Sequence, residues 1–510
     1  MKKINYNLLW LVALVLVIAS CKKTIQVDPR QSIDIEDAFG SRDNINAAIT
    51  GIYGRLKNLR VYGRDLIALP EALADNGFVT QKSGRLIGET INNPGSHFTG
   101  GLYQQSYFAI AEINLALAAI PRLQATPAVS QTERDNWEGQ LRFLRALFLH
   151  NLVRVYAYDP GMGVAGQDRG GIPISLSTPT TVEEAVKVLG PRVSVDSIYN
   201  VIYRDLASAN LQLVNSASAS VFPQFGTKVA AQALFARVAL YRKDYTNAKR
   251  WADSAINFAG GRLVSSSSVV QSWRNPVHPE SLFEIRFANQ AENNGVNESP
   301  QTTFTTLLIP GNPGVVGGFG DLVPAPALRA EFGIAGAFGP ATITSRTDDA
   351  RNLLYEVGSP ARGTAYVECT KFIGKNGFPN LDNLPVIRVP ELFLIRAEAM
   401  ATPGSAVFDE TAARNDLIRI KQNRYTSYAT SQQAFDAGLT GSALFEEIIR
   451  QRRLEFAFEG HRFFDLKRLG RDITGKAQSA NLLYTDFRVL APFPVRETDL
   501  NPALLQNFGY

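Results

Sequence analysis

Cysteine is nearly absent from this chain: 510 residues hold Cys21 and Cys369 and no other. At most one disulfide could form, so the fold must depend on a packed core. Histidine is scarce too. His97, His150, His278 and His461 include no pair at i, i+4 and no H-E-x-x-H, which removes the metalloprotease helix. G-x-S-x-G is missing, and with it the serine-hydrolase elbow. Neither charge sign dominates: 52 Lys and Arg against 47 Asp and Glu leave +5, or +3 without Lys2 and Lys3. A nucleic-acid binder would concentrate basic residues on one face, and this balance does not suggest one. No residue pattern asks for a metal ion or another cofactor. The apolar run Leu8–Ala19 is shorter than the roughly 20 residues that cross a bilayer as a helix.

That run follows Lys2 and Lys3 and ends in L-V-I-A-S-C at Cys21, the layout of a bacterial export signal over residues 1–20 with a lipobox. Small Ala19 and Ser20 fit a signal-peptidase cleft, and the Cys21 thiol can then carry a diacylglycerol thioether. Each buried methylene contributes roughly 0.8 kcal/mol, so two or three chains hold firmly. The mature protein is expected to be tethered to a membrane through Cys21. Cys369, left without an intrachain partner, reads as a small buried hydrophobe.

A content of 45% hydrophobic and 19% charged residues argues for a packed globule and against disorder. Helical periodicity organises much of it. Ser130 and Glu133 have capping-box spacing, and Leu141, Leu144, Phe148, Leu152 and Val155 form one stripe, with Arg142, Arg145 and Arg154 off it. An earlier helix is predicted near Tyr103–Ile120. Thr227 can cap a helix bearing Ala230, Leu234, Val238 and Tyr241; a second follows with Ala248, Trp251, Ala255 and Phe258. Small alanines at the crossing and a period a little over 30 residues resemble a tetratricopeptide (TPR) pair. Two more pairs are predicted, Ile387–Met400 with Glu410–Asn423 and Ala443–Phe458 with Arg462–Leu469. Ser281–Phe287 reads as a strand. From Asn289 to Asn383 no period is sustained, and a loop region that long is usually functional.

Two glycine motifs tempt and fail. Gly161, Gly163 and Gly166 match G-x-G-x-x-G but follow a helix where a strand is needed; Gly470, Gly475 and Lys476 approach a Walker A loop, but Ala477 lacks the hydroxyl. The stretch RRLEFAFEGHRFFDLKRLG, residues 452–470, collects Glu455, Glu459, His461 and Asp465 among cations. So much positive charge should keep both glutamates ionised and paired. The reading is an ion-pair lattice tying two helices, with Phe456, Phe458, Phe463 and Phe464 in the core.

This same stretch resembles the C-terminal signature of the SusD/RagB family of outer-membrane nutrient-binding lipoproteins. LRFLRALFLHNLVRVYA with GGIPI, DDAR at 348–351, VIRVPELFLIRAEAM with ARNDLIRIKQNR, and LLYTDFRVLAPFPVRETDLNP resemble further family segments in the same order. The resemblance implies a mainly α fold: four TPR-like helix pairs as scaffold, a loop-rich ligand-binding portion and few short strands. The expected division is the signal at 1–20, a helical part at 21–260, the loop-rich portion at 261–385, and C-terminal pairs with the closing segment at 386–510. The implied role is capture of a glycan, or in the RagB branch a peptide, and delivery to a SusC-like TonB-dependent transporter, with no catalysis. Lys22, Lys23 and Thr24 stand where surface-displayed members carry acidic residues, which leaves display outside the cell open. A TPR scaffold for envelope proteins and a lipid-anchored glycoside hydrolase are the other readings.

Sugar rings offer apolar C–H faces to aromatic side chains and hydroxyls to short polar ones. Two regions fit: Asp75, Asn76, Phe98 and Tyr103 on or beside one loop, and Phe304, Phe319 and Phe332 in the glycine-rich stretch. Tyr103 also resembles a position where family members carry an aromatic. Trp273, before the predicted strand, resembles a family core position.

Overall fold

The periodic segments form the helices expected of them, joined by short strands that the sequence shows less plainly. The structure is a computed structural model and describes residues 39–123, 129–179, 183–184, 190–214, 223–374 and 377–510. The export signal, Cys21 and Lys22–Thr24 lie outside the described residues. The helices of seven or more residues are α1 (Arg42–Leu56), α2 (Asp65–Leu73), α3 (Leu102–Ala119), α4 (Gln131–Tyr156), α5 (Val195–Gln212), α6 (Lys228–Tyr241), α7 (Tyr245–Ala259), α8 (Val389–Ala401), α9 (Glu410–Gln422), α10 (Gly441–Phe456) and α11 (Arg462–Arg468). The strands are β1 (Gly77–Val79), β2 (Ser281–Ile285), β3 (Leu322–Pro324), β4 (Ile334–Ala335), β5 (Ser345–Arg346), β6 (Tyr355–Val357), β7 (Val367–Cys369) and β8 (Leu384–Arg388). The fold is mainly α.

Ser130 and Glu133 close the capping box of α4, and the stripe from Leu141 to Val155 is fully buried. Arg145 and Arg154, off that stripe, are buried as well, because α4 is walled by α3 on one side and α5 on the other. Arg145 grips Asp205 of α5 through two bonds of 2.7 Å. Helices α6 and α7 make the expected hairpin, with Thr227 capping α6. Phe258 departs from the expectation: it is 44% exposed, and Ile256 and Ala259 fill the inner face of α7 instead. Helix α8 packs between α7 and α9 and starts at Val389, later than predicted, since Ile387 belongs to β8. Pro390 sits in its first turn, where the missing N–H loses nothing. Helix α11 packs on α2 and so fastens the last helix pair to the N-terminal part.

The lattice read from residues 452–470 is present, and wider than predicted. Arg388 meets Glu280, Glu455 and Glu459 at 3.1, 3.0 and 2.7 Å; Arg424 meets Glu280 and Glu455, both at 2.9 Å; Arg351 links Asp349 to Glu455. Arg452 bridges α10 to α11 through Asp465 at 2.9 Å. Burial alone would raise the Glu455 carboxyl, but Arg424, Arg388 and Arg351 hold it well below the carboxylate range. Phe456, Phe458, Phe463 and Phe464 are core residues.

Among the described residues the strands pair two by two and antiparallel, β1 with β3, β2 with β8, β4 with β5 and β6 with β7. Strand β2 matches the prediction at Ser281–Phe287, but all five of its residues are buried. The β1–β3 pair joins residue 77 to residue 324, which sets an N-terminal loop beside the middle of the chain. No helix of the described residues is long and apolar enough to cross a membrane.

Candidate functional site

The loop beginning at Asp75 is polar in sequence but anchored in the structure. Arg462 donates to both Asp75 oxygens at 2.7 and 2.9 Å, and Arg453 stands 3.2 Å away. Burial would raise the Asp75 carboxyl, yet Arg462 and Arg453 hold it below its ordinary value. Asn76 is fully buried, donating to Glu71 at 2.7 Å and accepting from Arg453 at 2.8 Å. Burial pushes Glu71 up to about 7 against the bonds from Asn76 and Gly460. Asp75 and Asn76 therefore tie the start of β1 to α10 and α11, and their polar groups are consumed there.

The aromatic candidates divide. Phe98 is 2% exposed and lies near Phe464; Tyr103 is 5% exposed between Tyr156 and Phe493; Phe304 is fully buried against Phe458. Phe332 and Trp273 are buried too. These side chains fill the core, so a ligand arriving from solvent does not meet their faces. Phe319 is the exception. It is half-buried, with Arg85 5.0 Å from its ring centroid and Arg362 4.6 Å from it.

Next to Phe319 the structure assembles rings that the sequence reading did not choose. Strand β1 turns Val79 inward and Phe78 outward, as alternation requires. Gly77 is needed at its start: a Cβ there would stand 2.6 Å from Leu322 and 2.9 Å from the Glu71 carbonyl. Phe338 comes from the loop after β4, and its ring meets Phe78 edge-on at 4.9 Å. Tyr366, just before β7, lies 5.5 Å from Phe78 and 5.3 Å from Phe338. All three rings are half-buried, so each keeps part of a face open. One edge-to-face and two tilted ring contacts at these distances hold the cluster in one arrangement.

The support is polar and tightly bonded. Arg329 fixes the Phe338 loop by donating to the Ala337 carbonyl at 2.9 Å. Gln478 clips the free edge of β1 with its amide, accepting from Val79 N at 2.6 Å and donating to Val79 O at 2.8 Å. Lys476, the lysine of the Walker-like match, caps α2 through the carbonyls of Ala72 and Leu73 and reaches Asn92. Beneath Tyr366 lies Glu368, bonded by Thr305 and Thr306 and raised by burial, with Lys82 at 3.4 Å. The Lys82 ammonium also stands 5.6 Å from the Tyr366 centroid.

This surface can hold a flat, partly apolar ligand face-on and bond its polar edge. Among the described residues, no group of three His, Cys, Asp or Glu side chains is placed to hold a metal. A second concavity, about 840 Å³, runs along the outer face of α1 past Ala47, Gly51 and Gly54. Its lining holds one aromatic ring, Phe39, and no ring cluster.

Phe78 sits in a three-residue strand too short to carry a period, and only the structure shows Val79 turned inward and Phe78 presented. Phe338 and Tyr366 sit in A-F-G-P and G-T-A-Y, where no period marks them.

Comparison with known proteins agrees with this architecture. Residues 364–510 match the model of the SusD family, and residues 32–240 match a second SusD-type family described as starch-binding and associating with the outer membrane. SusD-like protein P25 of Formosa agariphila is 23% identical over 572 residues, covering 99% of both chains. SusD-like protein P2 of the same organism is 25% identical over 488 residues, covering 91% of both. Among solved structures, a SusD superfamily protein from Bacteroides thetaiotaomicron superposes with a TM-score of 0.75 at 24% identity, covering 91% of this chain and 99% of that one. A sugar-binding protein from Bacteroides vulgatus, so described provisionally, gives 0.73 at 22% identity, covering 92% and 98%. The helix pairs and the buried signature lattice fit these matches: over residues 32–240 and 364–510 this chain is similar to SusD-type proteins.

Proposed function

We propose that the protein captures a glycan on the Phe78–Phe338–Tyr366 platform and delivers it to a SusC-like TonB-dependent transporter at the outer membrane, where acylated Cys21 tethers it. The observation that carries the reading is the convergence of three half-buried rings, from three separate segments, on one bonded base. Pyranose C–H faces pack on such rings, and Phe319 extends the surface. The matched family's description as starch-binding and outer-membrane-associated supports the direction, as does the sugar-binding description of the Bacteroides vulgatus neighbour. Binding without turnover is the reading for the carboxylates as well, because Glu455 and Glu459 are engaged by buried cations.

The test uses the soluble chain lacking residues 1–21 on glycan and peptide arrays, followed by calorimetry. Phe78→Ala and Tyr366→Ala are each expected to weaken glycan binding by about tenfold or more, equal to ~1.4 kcal/mol, with the helical fold retained. Peptide binding without glycan binding would favour the RagB-like role. Unchanged glycan affinity in both variants, or release of shortened sugars, would overturn the platform reading.

A further inference from the structure

The aromatic surface is bordered by positive charge whose carboxylate partners are drawn inward. Asp321 is buried, taking two bonds from Arg85 and one from Ser83. Glu368 is buried beneath Tyr366 and Gly320, engaged by Thr305, Thr306 and Lys82. Glu356, opposite Glu368 across the β6–β7 pair, is bonded by Gly311 N and lies 3.8 Å from Arg274. Each acid near the platform is thus committed within the protein.

Arg362 is different. It ends the short turn Pro360–Arg362, is exposed, and stacks on Phe319, while no carboxylate of the described residues lies within ion-pair distance of it. The turn is fixed from below, since Ser359 N donates to Thr306 Oγ1 at 2.7 Å and the same hydroxyl donates to Glu368. The guanidinium is therefore presented on a rigid base, over a ring and open to solvent. A planar fork held in this way suits an acid group bound through paired N–H bonds. The contacts run unbroken from Phe78 through Tyr366, Lys82, Glu368 and Gly320 to Phe319 and Arg362.

We infer that the captured glycan is anionic, with a carboxylate or sulfate group meeting Arg362 while its sugar rings lie on the aromatic platform. The inference rests on that platform being the binding site. A neutral glycan offers that guanidinium only hydroxyl oxygens, whose single bonds are weaker than the paired, charge-assisted bonds of an acid group.

The experiment titrates the soluble chain lacking residues 1–21 with oligogalacturonates, sulfated galactan oligosaccharides, and neutral malto- and laminari-oligosaccharides, at low and high salt. Wild type, Arg362→Gln and Phe78→Ala are compared. Expected results are binding of an acidic series in preference to the neutral ones, about tenfold loss in Arg362→Gln without change in melting temperature, and loss of affinity with added salt. The oligogalacturonate and sulfated arms distinguish the two acid groups. Neutral glycans that bind as well as acidic ones, lose affinity in Phe78→Ala and ignore Arg362→Gln would overturn the anionic inference and leave the platform standing. Acidic glycans that bind equally to wild type and Phe78→Ala would sink the platform itself. Binding of none of the three series would overturn both.

Discussion

Asp75 shows how a residue can be chosen for the right chemistry and the wrong role. A short acidic side chain in an Asn-Gly loop looks available for sugar hydroxyls, but its partners Arg453 and Arg462 are nearly four hundred residues away and sequence spacing cannot reveal them. With its side chain only 10% exposed, removing the charge strands two nearly buried guanidiniums. Asp75→Asn is expected to lose roughly 3 kcal/mol of stability in urea unfolding, while the folded fraction keeps its glycan affinity. Intact stability with lost affinity would restore Asp75 as a contact. Tyr103 follows the same logic: enclosed by Tyr156 and Phe493, its truncation to alanine should remove about 3–5 kcal/mol. Phe319, from the same set of candidates, did reach the surface, because its neighbour Gly320 turns the chain with φ of +61° over Glu368.

At the scale of elements, the helices and the five-residue strand β2 were legible and the shorter strands were not. Helix α4 announced itself through a capping box and 3.6-residue recurrence, both of which are local. A three-residue strand such as β1 has no period to detect, and its partner β3 arrives from the other half of the chain. The site is built from one such strand and the loops beside β4 and β7, so the candidate site was less readable than the scaffold. Its rigidity rests on similarly distant contacts. Gln478 supplies the bonds that a third strand would give Val79, and each contributes about 0.5–1.5 kcal/mol. Gln478→Ala should therefore speed hydrogen exchange at the Val79 amide and weaken glycan binding several-fold, while the exchange-protected helices stay unchanged. Equal exchange at Val79 in both proteins would show that β1 does not need the clip.

For the whole molecule, the telling feature is how much ionisable chemistry is buried. His97, His150 and His461 are enclosed, and burial lowers all three, His97 to about 3. In the unfolded chain each titrates near 6.5. Lowered folded values mean that the unfolded state takes up protons first, so the contribution of these imidazoles is full above pH 6.5 and falls as pH drops below it. Three such groups would give a slope of about 4 kcal/mol per pH unit. Glu71, raised to about 7, acts the other way between pH 7 and 4.5, and Glu368 and Glu89, also raised by burial, oppose the imidazoles in the same direction. The net decline below pH 6.5 is therefore shallower than the imidazoles alone would give. Below that the lattice adds its own loss, since Asp465, held at about 2 by Arg452 and Arg468 against the effect of burial, and Glu455 must then be protonated to unfold. Urea unfolding from pH 7.5 to 3.5 should therefore show a shallow decline beginning near 6.5 and steepening below 4.5. His150→Gln should flatten the upper limb by about one proton and leave the lower limb intact. An upper limb that His150→Gln leaves unchanged would mean that this imidazole reaches protons in the folded state, and that the core around α4 is wetter than its packing indicates.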